Sequence, residues 1–145
     1  MSSVNETFLP LRGLVAHGDH REHVRPAAEF LLERHVTYRR SVDEPLRPST
    51  VQLHFPSYWH YDVLAGLDAL RETNDLRDPR CDRALDLLES RRLPGGGWPA
   101  TARWYRVSDD GSNVESVDWG PTGKTLPNPW VTLIALRILL AAERY

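Results

Sequence analysis

Apolar residues recur along this chain at helical spacing, and they recur as a block. A shift of 56 residues lays Phe8, Leu11 and Leu14 on Leu64, Leu67 and Leu70 (8 + 56 = 64). The same shift lays Ala28, Leu31 and Leu32 on Ala84, Leu87 and Leu88. A shift of 69 lays Tyr61, Leu64, Leu67 and Leu70 on Trp130, Leu133, Leu136 and Leu139 (61 + 69 = 130). Positions three and four apart share one side of a helix, so the pattern predicts helices over roughly 5–17, 22–40, 58–73, 79–93 and 129–143. The chain reads as one domain, 1–145, with repeat units at about 5–40, 58–98 and 129–145. Two long connections, 41–57 and 99–128, join them.

Two kinds of helix alternate. The second and fourth carry a charged face, as an outer layer requires. The third and fifth open with aromatics and include Ala65, Gly66 and Ala135, small residues that allow close packing in an inner layer. Asp78-Pro79 and Asn128-Pro129 each combine an Asx N-cap with proline at the first helical position. In the first connection Val51, Leu53 and Phe55 alternate with Gln52 and His54, which predicts a short extended piece. The second contains RWYRV (103–107), SDDGSN (108–113) and VESVDW (114–119), a predicted hairpin. Both connections lead into inner helices and are expected at the same end. The expected fold class is all-α: helical hairpins, about two and a half pairs in two layers, with a long loop or β-hairpin insertion.

The segment from Arg83 to Trp98, RALDLLESRRLPGGGW, ends a helix at Pro94 and delivers Trp98 through three glycines. Arg83, Ala84, Leu87, Leu88, Gly96 and Trp98 resemble the QW motif of the terpenoid cyclase and prenyltransferase superfamily, with Arg92 where the family has Gln. LHFPSYWHYDVLAGLDAL, NVESVDWG and NPWVTLIALRIL extend the resemblance to bacterial proteins with prenyltransferase/squalene-oxidase repeats. It covers nearly the whole chain and implies a partial α/α-toroid, since about two and a half helix pairs cannot close a ring.

Composition narrows the chemistry. A formal net charge of −2 gives no case for nucleic acid, and one cysteine, Cys81, excludes a disulfide framework. No basic region followed by an apolar run opens the chain, and the apolar stretch 131–142 is short for a bilayer and contains Arg137. A cytoplasmic protein with no integral membrane segment is the expectation. The family's DxDD acid motif is missing, because Val107 stands where Asp109-Asp110 would need a third aspartate. Its zinc pattern is missing too, because Pro79 precedes Cys81 at two positions. Asp78 with Cys81 and His60, and the group His17, Asp19, His20 and His23, read as caps and turns, and no metal site is expected. No cofactor is expected, with Mg²⁺ only alongside a bound diphosphate.

The remaining constellation lies at the loop end. Tyr58, Trp59, His60, Tyr61, Trp104, Trp119 and Trp130 are the expected ligand-binding wall, suited to an isoprenoid chain, or to a carbocation through cation–π attraction. Unpaired N–H groups at the inner-helix N-termini would favour an anion beside them. Asp62, Glu115 and Asp118 are the candidate acids and His60 a candidate partner. The plainer alternative makes the aromatics a plug and has Asp62 and Asp118 bond helix ends or loop backbone. Function divides in the same way. Resemblance implies a terpenoid-cyclase-like domain binding or acting on a hydrophobic isoprenoid-type ligand; the alternative is a non-catalytic repeat fragment that self-assembles or joins a companion half-toroid.

Overall fold

The computed structural model describes residues 3–18, 21–107 and 116–145. Among them are five α-helices: α1 (Val4–His17), α2 (Arg21–Leu32), α3 (Val63–Glu72), α4 (Asp82–Ser90) and α5 (Pro129–Ala141). Short 3-10 turns occupy Pro48–Val51 and Pro79–Cys81. The described residues form isolated bridges, Tyr38 with Pro45 and Ala100 with Thr122, but no sheet. Among the described residues no helix is long and apolar enough to cross a membrane.

α3 is the centre of the molecule. It is buried at every position from Val63 to Leu70 and packs against α1, α5 and α4, while α2 packs on α1. α1, α3 and α5 therefore form one layer, and α2 and α4 lie on a second. Phe8, Leu11, Leu31, Leu67, Leu88, Trp98 and Ile138 meet between them, wholly out of water. Salt bridges tie neighbours at the rim. Arg12 of α1 grips Glu72 at 2.7 Å and reaches Asp68 at 3.2 Å, and Arg144 lies 2.7 Å from Asp86 of α4.

The repeat extends to how the inner helices stop. Gly18, Asn74 and Glu143 occupy equivalent positions (18 + 56 = 74; 74 + 69 = 143), and all three have left-handed φ, 86°, 62° and 57°. After α3 the Asp75 N–H donates to the Leu70 carbonyl at 2.9 Å; after α5 the Arg144 N–H donates to Leu139 at the same distance. This is the six-to-one bond that closes a helix end when the chain turns left-handed. α1 shares the left-handed stop, where the Gly18 N–H donates to the Leu14 carbonyl at 3.2 Å.

The starts do not match. α1 begins at Val4 and α5 at Pro129, both equivalent to residue 60 (4 + 56; 129 − 69), but α3 begins at Val63. The expected helix over 58–73 therefore loses its first turn, and Tyr58 to Tyr61 lie outside it. Asp62 decides this, because its side chain caps α3 by accepting from the Ala65 N–H at 2.8 Å. Tyr58, at φ 45°, turns the chain away, and the Tyr61 hydroxyl donates to the Val36 carbonyl at 2.6 Å. A Cβ on Gly66 would stand 2.3 Å from that hydroxyl and 2.6 Å from Val36, so Gly66 makes room for this loop closure rather than for a neighbouring helix.

The second helix likewise ends early, at Leu32 rather than near 40. His35 and Val36 take positive φ, and residues 37–46 fold back, with Leu46 N–H donating to Thr37. The fourth expected helix is divided into the 3-10 turn at Pro79–Cys81 and α4. Val51 belongs to a 3-10 turn, so the extended piece shrinks to the residues around Leu53. The Leu53 carbonyl accepts from Thr101 N–H at 2.7 Å and Ala102 N–H at 3.2 Å, which joins the two long connections at one end. The turn of the expected hairpin lies outside the described residues, and its flanks, 103–107 and 116–119, form no regular strand.

Trp98 locks this end from below. Its indole N–H donates to the Leu88 carbonyl at 2.6 Å and its backbone N–H to Thr132 Oγ1 at 2.9 Å. The Arg92 guanidinium lies 5.6 Å from the Trp98 ring centroid.

Candidate functional site

The unwound first turn of α3 places its aromatics beside the second long connection. His60 stacks on Trp104 with centroids 4.1 Å apart and planes within 16°. Trp59 packs against His60 at 5.1 Å and Tyr58 against Trp59 at 6.1 Å. A second cluster stands nearby: Phe55 stacks on Trp130 at 5.3 Å, and Trp119 meets both rings edge-on, at 5.3 and 5.6 Å. The sequence-predicted wall is therefore two groups. Tyr61 belongs chiefly to the core, edge-on to Phe8 at 5.4 Å, and burial pushes its phenol pKa up.

Between the clusters lies a buried pair that the chain pattern did not single out. His54 Nδ1 is 2.6 Å from Asp62 Oδ2, and both side chains are almost fully enclosed. The same carboxylate accepts from the His54 backbone N–H at 3.0 Å, while its other oxygen caps α3. Burial alone would lower the His54 pKa; the Asp62 carboxylate and the carbonyls of Ser57 and His60 outweigh it, and the net shift is upward. His60 moves the other way, lowered by burial and by His54. One imidazole is thus biased towards the charged form inside, and its neighbour towards the neutral form against Trp104.

The candidate acids separate clearly. Asp62 meets donors on both oxygens and is paired with His54 rather than His60, so it acts as an acceptor and offers no proton outward. Asp118 is exposed, and its side chain accepts from the Gly120 N–H at 2.9 Å, an Asx-type turn. Glu115 and the Asp109-Asp110 pair lie outside the described residues, as do Asp19 and His20. Among the described residues no three His, Cys, Asp or Glu side chains converge as a metal-ligand set. Cys81 is buried, which pushes its thiol pKa up to about 12.

The inner-helix N-termini are also occupied. Asp62 takes an N–H of α3. Asn128 Oδ1 accepts from Trp130 and Val131 at 3.0 and 3.1 Å, and its Nδ2 donates to the carbonyls of Trp119 and Pro121. An anion at these two ends would have to displace a cap.

Two openings flank the His54–Asp62 pair. The smaller, about 250 Å³, is lined by Phe55, Trp130, Leu64, Ala65, Leu133 and Ile134, with Asp62, Asp68, Arg12 and Arg137 among its polar neighbours. The larger, about 630 Å³, lies against His60, Tyr61 and Trp104 and reaches Phe30, Leu46 and the start of α1. It is lined by Arg34, Arg39, Arg40 and Arg47, none of which the sequence pattern marked as a site residue. Arg34, Arg39 and Arg40 lie at the end of the expected helix over 22–40, and Arg47 in the proline-broken connection after it.

No family model, no curated protein and no solved structure matches this chain.

Proposed function

We infer that this chain is a helical-repeat domain of the partial α/α-toroid type that binds a hydrophobic, isoprenoid-type ligand at the loop end of its inner helices. The resemblance to prenyltransferase/squalene-oxidase repeats supplies the ligand class. The arrangement of α1, α3 and α5 in one layer with α2 and α4 on another is compatible with it. The observation that carries the reading is the loop end itself, where His60 and Trp104 stack as one wall of a cleft of about 630 Å³ and Phe55 and Trp130 stack as a wall of the smaller groove. Flat, half-exposed aromatic surface beside an apolar lining suits an alkene chain. Binding is favoured over acid catalysis, because Asp62 is engaged by donors and Asp118 by its own turn.

A thermal-shift titration with farnesyl diphosphate, geranylgeranyl diphosphate and squalene tests it. Stabilisation that grows with ligand concentration is expected, and its reduction in Trp104→Ala ties the effect to the cleft. No shift with any of the three contradicts the ligand reading.

A second reading has its own observation. Leu126, Leu133 and Leu140 on and before α5 are each about half exposed or more, at 61, 48 and 60 %. Assembly with a second copy or a companion half would cover this face. It predicts a solution mass above 16.6 kDa, read by light scattering.

A further inference from the structure

We propose that the larger cleft is an anion site that takes a phosphate or diphosphate group, held by Arg34, Arg39, Arg40 and Arg47. The identity of the ligand's apolar part rests on the loop-end reading above; the anion site does not.

The charge balance of the cleft is the first argument. The chain as a whole has a formal net charge of −2, yet among the described residues four arginines line this one opening and no aspartate or glutamate does. Nearby neutralisation is incomplete. Glu33 is the one carboxylate close to two of them, 3.8 Å from Arg34 and 3.3 Å from Arg40. Arg39 and Arg47 make no ion pair or side-chain hydrogen bond among the described residues. Arg12, Arg80 and Arg144 each face at least two carboxylate groups. Arg91, Arg92 and Arg137 make no ion pair among the described residues, but at most two of these three line one opening.

Geometry is the second argument. Arg34 is held by its contact with Phe30, donating to that residue's carbonyl at 2.7 Å with its guanidinium 3.5 Å from the ring centroid. Burial, and then the nearby Arg40, lower its pKa, with Glu33 offsetting part of the shift. The fork of a guanidinium matches phosphate oxygens in pairs. The start of α1 at Ser3–Asn5 lines the same cleft, its first turn already closed by the Ser3–Glu6 capping box. The neighbouring His60–Trp104 stack gives the rest of the ligand an apolar face. The charge on a bound diphosphate is met here by arginine.

The test is calorimetric titration with inorganic pyrophosphate in the presence of a chelator. Arg39 and Arg47 are exposed, so Arg39→Gln/Arg47→Gln is expected to keep the wild-type melting temperature. Saturable binding is expected in the wild type. It should weaken at least about tenfold in the double variant and stay unchanged in Arg91→Gln, an arginine outside both openings. Absence of saturable pyrophosphate binding overturns the proposal, and so does equal binding by the double variant. Farnesyl diphosphate and a nucleoside diphosphate then identify the carrier. Pyrophosphate binding with no gain from the farnesyl chain leaves the anion site standing and contradicts the isoprenoid reading. Squalene binding without pyrophosphate binding does the reverse.

Discussion

His54 and Asp62 sit where the two long connections meet α3, and their contact makes stability depend on pH. The folded-state pKa of His54 is raised above its ordinary 6.5. The stabilisation it supplies is therefore complete below that value and is lost as pH climbs through the higher folded value. His60, whose pKa is lowered, acts in the opposite sense and at lower pH, losing its contribution as pH falls through its folded value. Urea denaturation between about pH 6 and pH 9 is expected to show stability declining with pH, and the decline should flatten in His54→Gln. An identical slope in the variant would contradict the role given to this pair. Asp62 was legible as a residue of interest, since an aspartate before an apolar run is a helix cap or a site. Its partner was not. His54 read only as a polar position in an alternating stretch, and eight residues of chain, with a turn at Tyr58, bring it back to Asp62.

Helix ends decide which side chains reach the loop end. Asn128 shows how much one residue can hold there: its amide oxygen caps α5 twice, and its amide nitrogen ties down the carbonyls of Trp119 and Pro121. Asn128→Ala removes all four bonds from a buried position and is expected to cost about 2 kcal/mol or more of unfolding free energy. Asn128→Asp retains the cap and loses the donors, so an intermediate loss is expected. A change below about 0.5 kcal/mol for the alanine variant, by urea denaturation, would contradict this account. The cap at Asn128-Pro129 could be read from the dipeptide. The starts and stops that went astray share one cause. Tyr61 and Val36 are buried and continue the apolar spacing of α3 and α2, but they reach the core from loops. Periodicity records which residues point inward and cannot tell a last helical turn from a loop packed in the same direction.

At the scale of the molecule, helical periodicity was enough to predict an all-α chain, and in the structure α3 packs against α1, α4 and α5. The repeat shifts also bring Gly18, Asn74 and Glu143 into one left-handed role, although glycine, asparagine and glutamate share no obvious sequence signal for it. The arginine-lined cleft was not readable in advance. It gathers the exit of α2, a folded-back loop, the approach to a 3-10 turn, the start of α1 and Trp104 from the second connection. No spacing rule links positions that only tertiary folding brings together. The central claim is that the loop end is where this domain binds its ligand. Hydrogen–deuterium exchange with and without saturating farnesyl diphosphate tests it most directly. Slower exchange is predicted in residues 33–62 and 101–105, with α4 unchanged. Unaltered exchange at the loop end, or protection confined to α4, would contradict it.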